Sequence, residues 1–121
     1  MDEEIKRWLQ SAKDDIKKAK GNLTLKNYDL SSFLCQQAIE KALKAHLIKK
    51  KGKFPKIHDL VRLARLVGLE EKFLQECKSL TFTYIEARYP DILGRGYTAK
   101  EAQKDIKTAE RIIKWVAKKL S

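Results

Sequence analysis

Three groups of residues in this chain could do chemistry. The first is cationic: Lys41, Lys44, Lys49, Lys50, Lys51, Lys53 and Lys56 follow one another with no acidic residue after Lys41 and before Lys56. Such a run either contacts phosphates or is simply a solvated loop. The second is the pair of histidines. His46 falls on the apolar arc of its helix and reads as a core or interface residue. His58 directly precedes Asp59 at a helix start. One of the two caps that helix, or they form a polar pair beside a cleft, where an imidazole can donate to a phosphate or move a proton. The third is the segment Tyr84-Ile85-Glu86-Ala87-Arg88-Tyr89-Pro90-Asp91. Arg88 follows Tyr84 by one helical turn, on or beside an inward row. A guanidinium there needs a fixed acceptor: a carboxylate such as Asp91, helix carbonyls or a ligand phosphate. Tyr89 and Tyr97 could stack on a base or pack at helix ends.

Other chemistries lack their residues. The chain has no glycine-rich phosphate loop and no HExxH, and no serine sits in a nucleophile-elbow context. Cys35 and Cys77 are 42 positions apart, outside any CxxC or zinc-type spacing, and read as buried free thiols. No metal or cofactor is expected.

The 121 residues suit one domain over positions 1–121, and 43% hydrophobic with 36% charged residues is enough for a core. No apolar run has transmembrane length, and the start Met1-Asp2-Glu3-Glu4 is acidic where a signal peptide would be basic. A cytoplasmic protein is expected. Twenty-seven Lys and Arg against 16 Asp and Glu give +11, a balance that favours polyanionic partners or keeps a helical protein in solution.

The elements that must position these residues are all helical. Ile5, Trp8, Leu9, Ala12, Ile16 and Ala19 form one stripe, predicting a helix over 3–20 that stops at Gly21-Asn22. A second helix over 29–50 carries apolar residues around most of its circumference, with Gln37, Lys41, Lys44 and, at the edge, Glu40 in a narrow polar sector. That is the pattern of a central helix. A short helix over 58–66 ends at Gly68, and a fourth over 70–89 ends before Pro90. Thr98-Ala99-Lys100-Glu101 is a capping box, and Ala102, Ile106, Ala109, Ile113, Val116 and Leu120 follow in heptad-like steps. The fold class is all-α: an antiparallel up-and-down helical bundle of four long helices and one short one. The wide arc of the second helix and the seam of the fifth, with Trp115 beside it, predict a homodimer or a larger even oligomer.

Trp8, Ala12, Asp15 and Tyr28, the block Cys35-Gln36-Gln37-Ala38-Ile39-Glu40-Lys41-Ala42-Leu43-Lys44-Ala45, then Pro55-Lys56-Ile57-His58-Asp59-Leu60, then Arg88-Tyr89-Pro90-Asp91 together resemble the HEPN family, the higher-eukaryote and prokaryote nucleotide-binding domain. The resemblance spans nearly the whole chain in order. It implies a small helical bundle, usually a homodimer, often partnered by a minimal nucleotidyltransferase, in prokaryotes frequently as a toxin–antitoxin pair. Many members are metal-independent ribonucleases whose motif is an Arg followed four to six residues later by His. Here Arg7, Arg62, Arg65, Arg88, Arg95 and Arg111 all lack that downstream His. The expected function is therefore binding of nucleotide or RNA phosphates, docking onto a nucleotidyltransferase, or both. Lys41, Lys44 and Arg88 would supply the cations, Tyr89 or Tyr97 a stacking face, and Asp91 is a family-pattern position. The alternatives are an RNA-cleaving toxin that brings His58 and Arg88 together in space, and a purely structural dimerisation module.

Overall fold

The computed structural model describes the backbone of residues 2–88 and 97–121, and the side chains of 2–81 and 97–121. Five helices account for most of it: α1 Glu3–Thr24, α2 Tyr28–Lys51, the short α3 Leu60–Val67, α4 Glu71–Arg88 and α5 Ala99–Leu120. No strand occurs among the described residues. Four long helices and one short one form the expected all-α bundle.

Local signals fix most of the boundaries. Asp2 accepts a hydrogen bond from the Ile5 N–H at 3.0 Å and starts α1. Asp59 accepts from the N–H groups of Val61 and Arg62 and starts α3. The cap at this helix is thus Asp59, and the helix begins at Leu60, two residues later than expected, which leaves His58 outside it. Thr98 and Glu101 close the capping box of α5: the Glu101 N–H donates to the Thr98 hydroxyl at 3.1 Å, which donates to the Glu101 carboxylate at 3.0 Å. Gly52 (φ +78°) and Gly68 (φ +84°) end α2 and α3 in the left-handed conformation that glycine adopts without strain.

The expected stop at Gly21-Asn22 is overridden. The Asn22 side chain donates back to the Lys18 carbonyl at 2.9 Å, and Leu23 packs against the core, so the helix gains by continuing to Thr24. The break comes at Lys26, a non-glycine residue at φ +65°.

Helix α2 is the centre of the bundle. Cys35, Ala38, Ile39, Ala42, Leu43, Ala45 and Leu47 are all fully buried, and α2 meets every other helix. Contacts fix the directions. Ser31 donates to the Ala19 carbonyl, and Lys41 pairs with Asp15, so α1 runs antiparallel to α2. Ser32 meets Asp105, and His46 meets Trp115, so α5 runs parallel to α2. Glu76 takes hydrogen bonds from Thr108 and Arg111 on α5. A parallel α4 would put about 35 Å between Arg88 and Thr98, which the ten Cα steps between them span only when fully extended, so the short connection favours an antiparallel α4. The bundle therefore has two poles. One gathers the start of α1, the end of α2, residues 52–59, α3 and the end of α5. The other gathers the α1–α2 turn, the end of α4 and the start of α5.

The apolar stripes that suggested a dimer are covered within one subunit. Ile39, Leu43 and Leu47 of α2 are fully buried, as is Val116 of α5, and Ile106, Ile113 and Leu120 are nearly so. Large apolar side chains remain exposed at Leu25 and Leu30, at the turn between α1 and α2.

Candidate functional site

The most organised polar cluster lies where residues 52–59 turn back along α2, and Glu40, near the middle of that helix, is its centre. Glu40 lies on α2 at 8% exposure. One of its carboxylate oxygens, Oε2, takes Nζ of Lys44 at 2.8 Å, one helical turn on, and Nδ1 of His58 at 2.9 Å. Lys44 is itself buried, and its ammonium stands 5.1 Å from the Phe54 ring centre and 5.8 Å from that of Trp8. The two rings meet edge to face at 5.1 Å. Trp8 of α1 and Phe54 of the loop after α2 thus roof the ion pair, and the quadrupoles of the rings favour the cation beneath them.

The arrangement leaves His58 as the exposed end of a buried chain of charges. Its side chain is 82% exposed while that of Glu40 is 10% exposed. Paired with the Lys44 ammonium, the Glu40 carboxylate is the acceptor at this contact, which assigns Nδ1–H of His58 as the donor and leaves Nε2 as the nitrogen away from Glu40. Lys49, Lys50, Lys51, Lys53 and Lys56 surround it along the chain, all exposed. Lys49, Lys50 and Lys51 close α2, and Phe54, pinned on Trp8, ties the segment that carries Lys53 and Lys56 to the bundle.

The structure places the remaining candidates elsewhere. Lys41 pairs with the buried Asp15 at 2.8 Å and keeps 26% of its side chain exposed. Both block lysines are thus engaged by carboxylates of their own subunit. Arg88 is the last residue of α4, at the second pole; Lys44 lies seven residues before the end of α2 at Lys51, about 10 Å from the first. Arg88 stands twelve residues, about 18 Å, along α4 from Glu76. The Arg88 side chain, Tyr89 and Asp91 lie outside the described residues. Tyr97 is half-buried near Ser32 and Asp105, and burial raises its pKa. His46 packs on Trp115, ring centres 5.7 Å apart and 22° between planes. Its Nδ1 is buried without a hydrogen-bond partner. Burial, then the charges of Lys50 and Lys119, lower its pKa.

Two polar clusters carried no advance signal. Asp105, 7% exposed, accepts from the fully buried Ser32 hydroxyl, and burial pushes its carboxyl up to about 6. Glu40 and His58 are eighteen positions apart, so no helical spacing announced their contact. Cys35 and Cys77 are free and buried; burial raises both thiols, that of Cys77 to about 12. Among the described residues no three His, Cys, Asp or Glu side chains converge as metal ligands, and no helix is long and apolar enough to cross a membrane.

The sequence profile of the HEPN domain matches residues 5–120. No curated protein matches the chain. Among solved structures, TT1696 from Thermus thermophilus superposes with a TM-score of 0.81 at 31% identity, covering 95% of this chain and 97% of that one. ST0689, described as an archaeal HEPN homologue, superposes with a TM-score of 0.80 at 30% identity, covering 97% and 98% of the two chains.

Proposed function

The chain belongs to the HEPN family, and on that premise we propose that it binds the phosphates of a nucleotide or of RNA at the pole that carries Lys49–Lys56 and His58. One observation carries this reading: three exposed lysines that close α2 and two more on the following segment, which Phe54 anchors to Trp8, beside an exposed imidazole held by a buried carboxylate. An anchored cationic loop brings its charges to a polyanion with less ordering cost than a free one. Lys41 and Lys44 act from beneath this surface, as partners of Asp15 and Glu40. Cleavage of RNA by an Arg–His pair of the family's usual spacing is not expected, because no arginine has the downstream histidine. Fluorescence anisotropy with a labelled single-stranded RNA and a labelled adenine nucleotide tests the proposal. Binding that falls when the five loop lysines are replaced by Gln supports it; no binding of either probe at low salt overturns it.

A second reading concerns assembly. Leu25 and Leu30 are exposed at 70% and 44%, respectively, at the pole opposite the lysines. A second copy would cover them there. The competing occupant is the minimal nucleotidyltransferase that the family resemblance implies, as the antitoxin of a pair. Light scattering of the wild type and of Leu25→Lys/Leu30→Lys tests the homodimer. A dimer mass reduced to a monomer mass supports this surface, and a monomer in both rejects it.

A further inference from the structure

A buried ion pair contributes little to stability, since a well-packed apolar pair of similar volume usually does as well. Glu40 and Lys44 nevertheless occupy the middle of the roofed cluster, and the remaining contact of that carboxylate oxygen is His58. We propose that His58 is the contact residue of a phosphomonoester site, that Nε2–H of its imidazolium donates to a terminal phosphate oxygen, and that the Glu40–Lys44 pair fixes Nδ1–H inward so that Nε2 is the nitrogen left to meet the phosphate. This rests on the phosphate-binding reading of the pole and names its ligand.

The geometry sets the roles. Lys44 neutralises the local charge and keeps Glu40 an acceptor whether or not His58 is charged. Nδ1–H therefore points inward to Glu40, and Nε2 is the ring nitrogen left to meet a ligand. When His58 is an imidazolium, Nε2–H faces solvent beside Lys56, two residues earlier on the same exposed segment. A terminal phosphate is close to a dianion at neutral pH and offers three acceptor oxygens, enough for both donors. A backbone phosphodiester carries one charge and is met as well by any lysine of the loop. The charged groups next to His58 are Glu40 and Lys44 on α2 and Lys56 and Asp59 on its own segment.

The test uses the full chain. A labelled RNA oligomer is measured with a 5′-phosphate and with a 5′-hydroxyl, and AMP and adenosine are used as competitors. Wild type is expected to prefer the phosphorylated end by about tenfold at pH 6.5 and to lose most of that preference by pH 8.5, the range expected for one charge-assisted hydrogen bond. His58→Gln should lower the preference below about twofold at both pH values. The double variant Glu40→Gln/Lys44→Met, which removes both buried charges together and so is expected to fold, should also lose the pH dependence. Long-range 1H–15N spectra of the imidazole should show Nδ1–H in neutral wild type and a mixture of tautomers in the double variant. AMP competing where adenosine does not points to a free nucleotide as source. Preference for the phosphorylated RNA with no competition by AMP points to an RNA end. If RNA binds through the loop lysines with equal affinity for both ends, the phosphate pole stands and the His58 site is wrong. If neither probe binds at all, both fall.

Discussion

Replacing Asp105 by Asn should stabilise the protein at neutral pH and leave it unchanged in acid. Asp105 is buried between α2 and α5 and accepts from Ser32. Burial, offset in part by that hydrogen bond, raises its carboxyl from 3.8 to about 6. A carboxyl with a raised folded pKa binds its proton more readily in the native state than in the unfolded one. Between these two values the native state holds more protons, so stability falls as pH rises through the window and stays lower above it. The rise is about two units at about 1.4 kcal/mol each, which sets an upper figure of roughly 3 kcal/mol lost by pH 7. Asn presents a neutral group of the same shape whose carbonyl oxygen still accepts from Ser32. Urea unfolding of both proteins from pH 4 to pH 8 measures the difference. The variant should match wild type within about 0.5 kcal/mol at pH 4 and exceed it by about 1–3 kcal/mol at pH 8. A gap that is the same at both ends, or that widens toward acid, would refute the reasoning.

Other consequences of the same packing can be measured directly. Lys44→Met alone leaves the Glu40 carboxylate buried with His58 as its partner and should destabilise by about 3 kcal/mol in chemical unfolding, whereas Glu40→Gln/Lys44→Met should fall within about 1 kcal/mol of wild type. Thr98→Ala removes the capping hydroxyl of α5 and should cost about 1 kcal/mol, read as a lower thermal midpoint. Cys35 and Cys77, buried and with raised thiol pKa values, should react with a thiol reagent at pH 8 only under unfolding conditions; stoichiometric labelling of native protein would contradict their placement.

Features set by neighbours in sequence could be read from the chain, and features set by contacts across the bundle could not. The stripe of α1, the capping box at Thr98 and the glycine stop at Gly68 each follow from residues within a turn or two. The near-continuous apolar circumference of α2 announced its central position, and the structure covers it within one subunit. The stop expected at Gly21 failed because burial of Leu23 and the Asn22 side chain outweighed the weak helix propensity of glycine. Lys44 and Glu40 could be expected to pair from their four-residue spacing, but the approach of His58 and the roof of Trp8 and Phe54 depend on how the loop after α2 returns to α1. Grouping Lys44 with Arg88 followed from charge alone.

The central claim is that the lysine pole meets phosphates, and its most direct measurement is the salt dependence of RNA binding. Each phosphate neutralised on a single strand contributes about −0.7 to the slope of log K against log salt. If four or five of the loop lysines make such contacts, wild type should show a slope of about −3. Replacing Lys49, Lys50, Lys51, Lys53 and Lys56 by Gln should bring it close to zero with little change in thermal midpoint, since all five are exposed. Equal slopes for the two proteins, or no binding by wild type at low salt, would contradict the account.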